Sequence, residues 1–155
     1  MLVFVDCEFT DFIDCDLISI GLVADDGREF YGERSDYDRA GCSAFVREAV
    51  LPQLGQYPAR VFAREALRKE LLTWLDQFSD EPERMLCFDY AGDWDLLVDL
   101  LDGVPEGWLA CHVDELMDFD RVETYLREHG GRHHALHDAR ANRYACRRDT
   151  PRLEE

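Results

Sequence analysis

Two carboxylates one residue apart, Asp6 and Glu8, close the apolar run Val3-Phe4-Val5 near the start of the chain. A short run with β-branched residues predicts a buried strand, and residues two apart on a strand share a face. Both acids therefore project side by side. Held that close in water-poor surroundings they repel, and one takes up a proton unless a cation intervenes. Hard oxygen donors without paired thiolates point to Mg²⁺ or Mn²⁺ rather than zinc. A lone D-x-E also fits an acidic strand end that meets solvent, so the reading depends on partners elsewhere in the chain.

Two further stretches offer such partners. Asp93 stands between the apolar run 85–88 and a helical pattern over 94–101, flanked by Asp89 and Asp95. There its carboxylate faces the positive end of the helix dipole. Each acid has an ordinary alternative: an N-cap for Asp93, a strand-end polar group for Asp89, a solvent-facing helix residue for Asp95. The third stretch, Arg132-His133-His134-Ala135-Leu136-His137-Asp138-Ala139, crowds three histidines around one aspartate. On a continuous helix His134 and Asp138 share a face at i, i+4, whereas His133 lies roughly 140° away from Asp138. Helical spacing thus prefers His134. His133 reaches a site built on Asp138 only if the helix starts after it, which the flexible pair Gly130-Gly131 allows.

The elements that must position these groups follow from periodicity and turn signals. Strands are expected over 3–8, 16–24, 28–32, 85–88 and 108–113, with Asp25-Gly27 as a tight hairpin turn between the second and third. Helices are expected over 61–78, 94–101, 119–129 and 135–148, the last stopped by Pro151, with a short helix near 43–50 inside a polar stretch, 33–59. The first three strands, joined by short connections, imply an antiparallel start to the sheet. The order β-β-β-α-β-α-β-α-α describes a mixed five-stranded α/β sheet flanked by helices. With 155 residues and 46% hydrophobic residues the chain is read as one domain, 1–155, with a proper core.

Composition narrows the classes of function. A net charge of −17 excludes a broad nonspecific nucleic-acid binder with a basic face, but not an enzyme whose acidic site holds metals that then meet phosphates. The one locally basic stretch carries six arginines, at 132, 140, 143, 147, 148 and 152, and reads equally as a solvated face or as a backbone-steering surface. Six cysteines without a CxxC pair read as free thiols in a reducing compartment. The absence of a long apolar run and of a leader pattern gives a cytoplasmic expectation.

Together the three stretches resemble the DEDDh family of 3′-5′ exonucleases, which has the RNase H-like fold. Asp6-x-Glu8 looks like its first motif. Met85 to Leu97 looks like the second, where Leu96 and Leu97 stand at the offsets that select Asp93 over Asp95. His133-x-x-x-x-Asp138 followed by Ala139 looks like the third, and selects His133 over His134. Two departures stand out: Phe9-Thr10-Asp11 replaces the Thr-Thr-Gly of proofreading enzymes, and Asp89 replaces the Asn usual four residues before the second-motif Asp. The text from Asp6 through Glu33 is closer to the small stand-alone bacterial and mycobacterial exoribonucleases of the RNase AS type. That resemblance implies an RNA 3′ end as substrate and a homodimer. It further implies two Mg²⁺ ions held by Asp6, Glu8, Asp93 and Asp138, with His133 as general base. Phe9 is the candidate stacking surface for the terminal base, and Arg140 and Arg143 are candidates for the RNA backbone. The competing readings are a DNA exonuclease of the same fold and a non-catalytic RNA-end-binding module.

Overall fold

The computed structural model describes residues 1–147. Arg148, Pro151 and Arg152 lie outside the described residues, but the last described helix already ends at Ala145, short of the expected 148 and of Pro151, because Cys146 turns extended and bridges Met117. Six strands form one sheet: β1 (Leu2–Phe9), β2 (Leu17–Ala24), β3 (Glu29–Arg34), β4 (Val61–Phe62), β5 (Met85–Phe88) and β6 (Leu109–His112). Five α-helices flank it: α1 (Ala44–Ala49), α2 (Arg64–Asp76), α3 (Ala91–Leu101), α4 (Phe119–His129) and α5 (Ala135–Ala145). The spatial order is β4-β3-β2-β1-β5-β6. β1–β2 and β2–β3 are antiparallel, whereas β1–β5, β5–β6 and β3–β4 are parallel. This mixed α/β arrangement is consistent with an RNase H-like fold.

The sheet therefore has six strands, not five. The additional strand, β4, is two residues long and pairs with Glu33 and Arg34 of β3. Val61 and Phe62 continue the apolar spacing of the helix that follows, so periodicity assigns them to α2. Only their distant neighbour on β3 makes them a strand.

Alternation along β1 sorts the core into two layers. Val3, Val5 and Cys7 belong to a cluster that includes Leu67, Leu71 and Trp74 of α2 and Leu96, Leu97 and Leu100 of α3. On the other face, Phe4 packs with Cys87, Met117 and Ala145, while Val23 and Tyr31 pack with Ala135, Leu136 and Ala139 of α5. β2 is buried along its whole length, as a central strand covered on both faces must be. Asp6 and Glu8 share the parity of Phe4 and so lie on the α5 side.

Gly21 sets how closely α5 approaches. It pairs with Asp6 across β1–β2, and a Cβ there would sit 2.5 Å from the Leu136 backbone nitrogen and 2.6 Å from the Ala135 carbonyl carbon. Only glycine lets the first turn of α5 rest on β2 at this height. Among the described residues no helix is long and apolar enough to cross a membrane.

Candidate active site

The carboxylates arrive from three separate elements. Asp6 and Glu8 stand near the C-terminal end of β1, just before a register shift between Glu8 and Phe9 that bends the strand exit. The parallel neighbour β5 ends at the same rim and delivers Asp89 and α3. α3 begins at Ala91, three residues ahead of its periodic pattern, which places Asp93 in the first turn. Asp93 is 2% exposed, and its carboxylate accepts the Cys7 backbone N–H at 3.2 Å, tying α3 to β1. It does not cap the helix; Tyr90 holds that position.

Asp138 lies in the first turn of α5 and accepts the backbone N–H of His133 at 3.0 Å. His133 precedes the helix, which starts at Ala135, and its φ is +64°, a left-handed conformation uncommon outside glycine. Gly130 and Gly131, with φ of +71° and +86°, close α4 and turn the chain into this geometry. Ligand atoms of Glu8, His133 and Asp138 lie within 4.8 Å of one another, as do those of Asp6, Asp89 and Asp93. His134 goes elsewhere. It is 1% exposed, stacks on Tyr31 at 4.6 Å, and neither ring nitrogen has a hydrogen-bond partner. The helix start after His133 is the condition that helical spacing alone left open.

Electrostatically the cluster is a buried concentration of like charge. Burial pushes the Asp6 carboxyl well up, and Asp93, Asp138, Glu8 and Asp89 add to the rise. Burial, then the Asp138 and Asp93 charges and the side-chain interaction with Asp138, push Glu8 up to about 9. Asp93 is pushed up to about 8 by burial and by Asp89, and Asp138 to about 7 by burial against the opposing His133 N–H. Burial and the nearby Arg132 lower His133, which keeps its imidazole neutral at physiological pH. One Asp6 oxygen, Oδ2, is buried with no hydrogen-bond partner. An all-carboxylate set with one imidazole and an orphaned oxygen fits a hard divalent cation, which would offset repulsion that hydrogen bonds within the cluster leave uncompensated.

Asp89 is the member that pattern reasoning left as a strand-end group. Its carboxylate accepts from the Asn142 side-chain amide at 3.0 Å, and its own carbonyl contacts the His112 ring at 3.0 Å. Asn142 stands four residues after Asp138, on the same face of α5, so a signal for its presence at the site was available in the spacing. Phe9 is half-buried and stacks on Tyr90 at 6.0 Å, with Phe12 edge-on to Phe9 at 5.4 Å. Across the cluster, Phe45 meets the His133 ring edge-on at 4.9 Å. Phe12 is 77% exposed and Tyr90 and Phe45 about half exposed, so these rings present apolar surface to solvent beside residues of the cluster. Arg140 and Arg143 are not gathered there. Arg140 forms a two-pronged ion pair with Glu29 at 2.8 Å, and Arg143 donates to the Asp25 carbonyl at 2.7 Å.

Two curated proteins of Mycobacterium tuberculosis, the 3′-5′ exoribonucleases of strains CDC 1551 and H37Rv, are each 38% identical to this chain over 77 residues. The match covers 48% of this chain and 46% of each relative, so it spans about half the length of the curated proteins. No protein-family model matches the sequence.

Proposed function

We propose that this chain is a divalent-metal-dependent 3′-5′ exoribonuclease of the DEDDh type, close to RNase AS enzymes, that shortens RNA from its 3′ end and releases nucleoside monophosphates. The observation that carries the reading is the convergence of Asp6, Glu8, Asp93, Asp138 and His133 at one rim of the sheet, from stretches far apart in sequence. The similarity to mycobacterial proteins named as 3′-5′ exoribonucleases supports it. A homodimer and a cytoplasmic location belong to the same proposal.

Asp6, Glu8, Asp93 and Asp138 would hold Mg²⁺, with Asp89 near enough to contribute. When bound, the metal neutralises phosphate charge and makes water a stronger nucleophile near neutral pH. His133 takes the proton from the attacking water; its neutral imidazole is the competent base. The Asp138 carboxylate holds the His133 backbone, which fixes the imidazole beside the reacting phosphate. Phe9 and Tyr90 offer a stacking surface to the terminal base, and Phe45 a second one on the histidine side.

The test is digestion of single-stranded RNA labelled at either end, with matched DNA alongside, in Mg²⁺ and in EDTA. Stepwise shortening of the 5′-labelled RNA only in Mg²⁺, with mononucleotide released from the 3′ label, is expected. Faster loss of DNA than RNA would reassign the substrate. Binding without shortening of either polymer would make the chain a binding module.

A further inference from the structure

The second half of α5 builds a basic hollow that the carboxylate site does not use. A cavity of about 790 Å³ opens between α4, α5 and the start of β3. Four arginines line it, Arg121 from α4 and Arg140, Arg143 and Arg147 from α5 and its exit, against one acidic residue, Glu29. Tyr125 and Tyr144 share the lining, their rings 5.3 Å apart, and the Arg121 guanidinium lies 4.6 Å over Tyr144.

The four cations are unequally occupied. Arg140 is committed to Glu29, and Arg143 donates one nitrogen to the Asp25 carbonyl while its Nε is buried with no hydrogen-bond partner. Arg147 stands 4.0 Å from Asp118 with its side chain 62% exposed. Arg121 is exposed, and its guanidinium rests on the Tyr144 ring. Planar guanidinium groups beside aromatic faces are what a phosphate backbone with unstacked bases requires: forked donors for the phosphate and a ring for the base. A net charge of −17 does not oppose this, because at physiological ionic strength charges beyond about 8 Å are largely screened and the local sign decides.

We propose that this hollow is a second RNA site, which holds the phosphates and a stacked base of a single strand upstream of the end being degraded. It rests on the proposed nuclease reading for its direction: Asp138 and Arg143 lie five residues apart on α5, roughly 7.5 Å along and roughly 140° around the helix axis, so the strand wraps across α5 from one site to the other.

The experiment measures fluorescence anisotropy of a labelled single-stranded RNA of about 20 nucleotides in EDTA, where cleavage is silent. Arg121→Gln with Arg147→Gln, both exposed positions, is expected to weaken binding at least about tenfold and to lower the salt slope by about 1.4, as two fewer neutralised phosphates require on a single strand. Tyr144→Ala is expected to weaken it similarly, and Tyr144→Phe to restore it. Wild-type affinity in the double variant, or no RNA binding by the wild-type chain, overturns the proposal. So does a change of oligomeric state on sedimentation with RNA affinity intact, which would assign the hollow to a second copy of the chain. Shortening assays in Mg²⁺ separate the two readings. A wild-type chain that binds RNA through this hollow but shortens none refutes the nuclease and leaves the site. A chain that shortens RNA equally well with and without the arginines refutes the site and leaves the nuclease.

Discussion

Each buried carboxylate of the cluster carries a cost that the fold alone does not remove. Asp93 shows it most plainly: 2% exposed, one backbone donor, and a carboxyl pushed up to about 8. Asp93→Asn is therefore expected to abolish Mg²⁺-dependent RNA shortening while raising the apo protein's stability by about 1 kcal/mol at pH 8, since an amide keeps the Cys7 contact without the charge. Asp95→Asn is expected to leave both unchanged. Loss of activity in the Asp95 variant instead would move the site by two residues. For the histidines, His133→Ala is expected to lower turnover about 10²- to 10⁴-fold with binding retained. His134→Ala is expected to act mainly on stability, because that ring is packed against Tyr31 and away from the carboxylates. The reverse ranking in single-turnover kinetics would refute the assignment. At this scale the text of the chain was informative about which residue types matter but not about Asp89. Its partner Asn142 lies 53 positions away, and only the docking of α5 on β1 and β2 brings the two together.

At the scale of elements, α5 is the part on which the geometry turns. Its first turn holds Asp138, and its backbone sits against Gly21 with no room for a methyl group. Gly21→Ala is expected to push α5 off β2, at a cost of about 1–3 kcal/mol for overpacking, and to reduce activity far more than a stability loss of that size explains. Urea denaturation beside RNA-shortening rates checks both; full activity at reduced stability would show that the helix shift does not reach Asp138. The strands β1, β2 and β5 and the helix α4 were legible because their hydrophobic periods are strong and their ends carry turn residues. β4 and the early start of α3 were not. The first exists through pairing with β3, and the second through the Asp93–Cys7 contact, and neither interaction leaves a mark in local periodicity.

For the whole molecule, the raised carboxyls and the lowered histidine act on stability in opposite directions. Groups such as Glu8, at about 9, and Asp93, at about 8, have folded values above their unfolded ones, so the stability they allow is present at low pH and is lost as pH rises through these values. His134 is pushed down to about 4, chiefly by burial, so its contribution is present above its unfolded value near 6.5 and is lost as pH falls from there toward 4. The raised carboxyls outnumber the lowered His134, so in EDTA the melting temperature is expected to be highest near roughly pH 4 to 5 and to fall toward pH 9. Saturating Mg²⁺ is expected to raise it by an increment that grows with pH, since metal and protons compete for the same oxygens. A pH-independent increment, or none, in calorimetry would argue against a metal at these carboxylates.

The juxtaposition of β1 with α5 also bears on when the site comes into being. Asp6 and Asp138 are separated by most of the described chain, and the contact between their elements closes a long loop, which slows assembly relative to local structure. An incompletely folded chain has Asp6 and Glu8 on a strand without Asp138, without His133 and without the helix that seats them. Such a species would hold an incomplete set of the proposed ligands and lack the proposed base. On the proposed reading, hydrolytic capacity would be a property of the finished tertiary structure, and its appearance during refolding would time the docking of α5 more sharply than any spectroscopic signal of secondary structure.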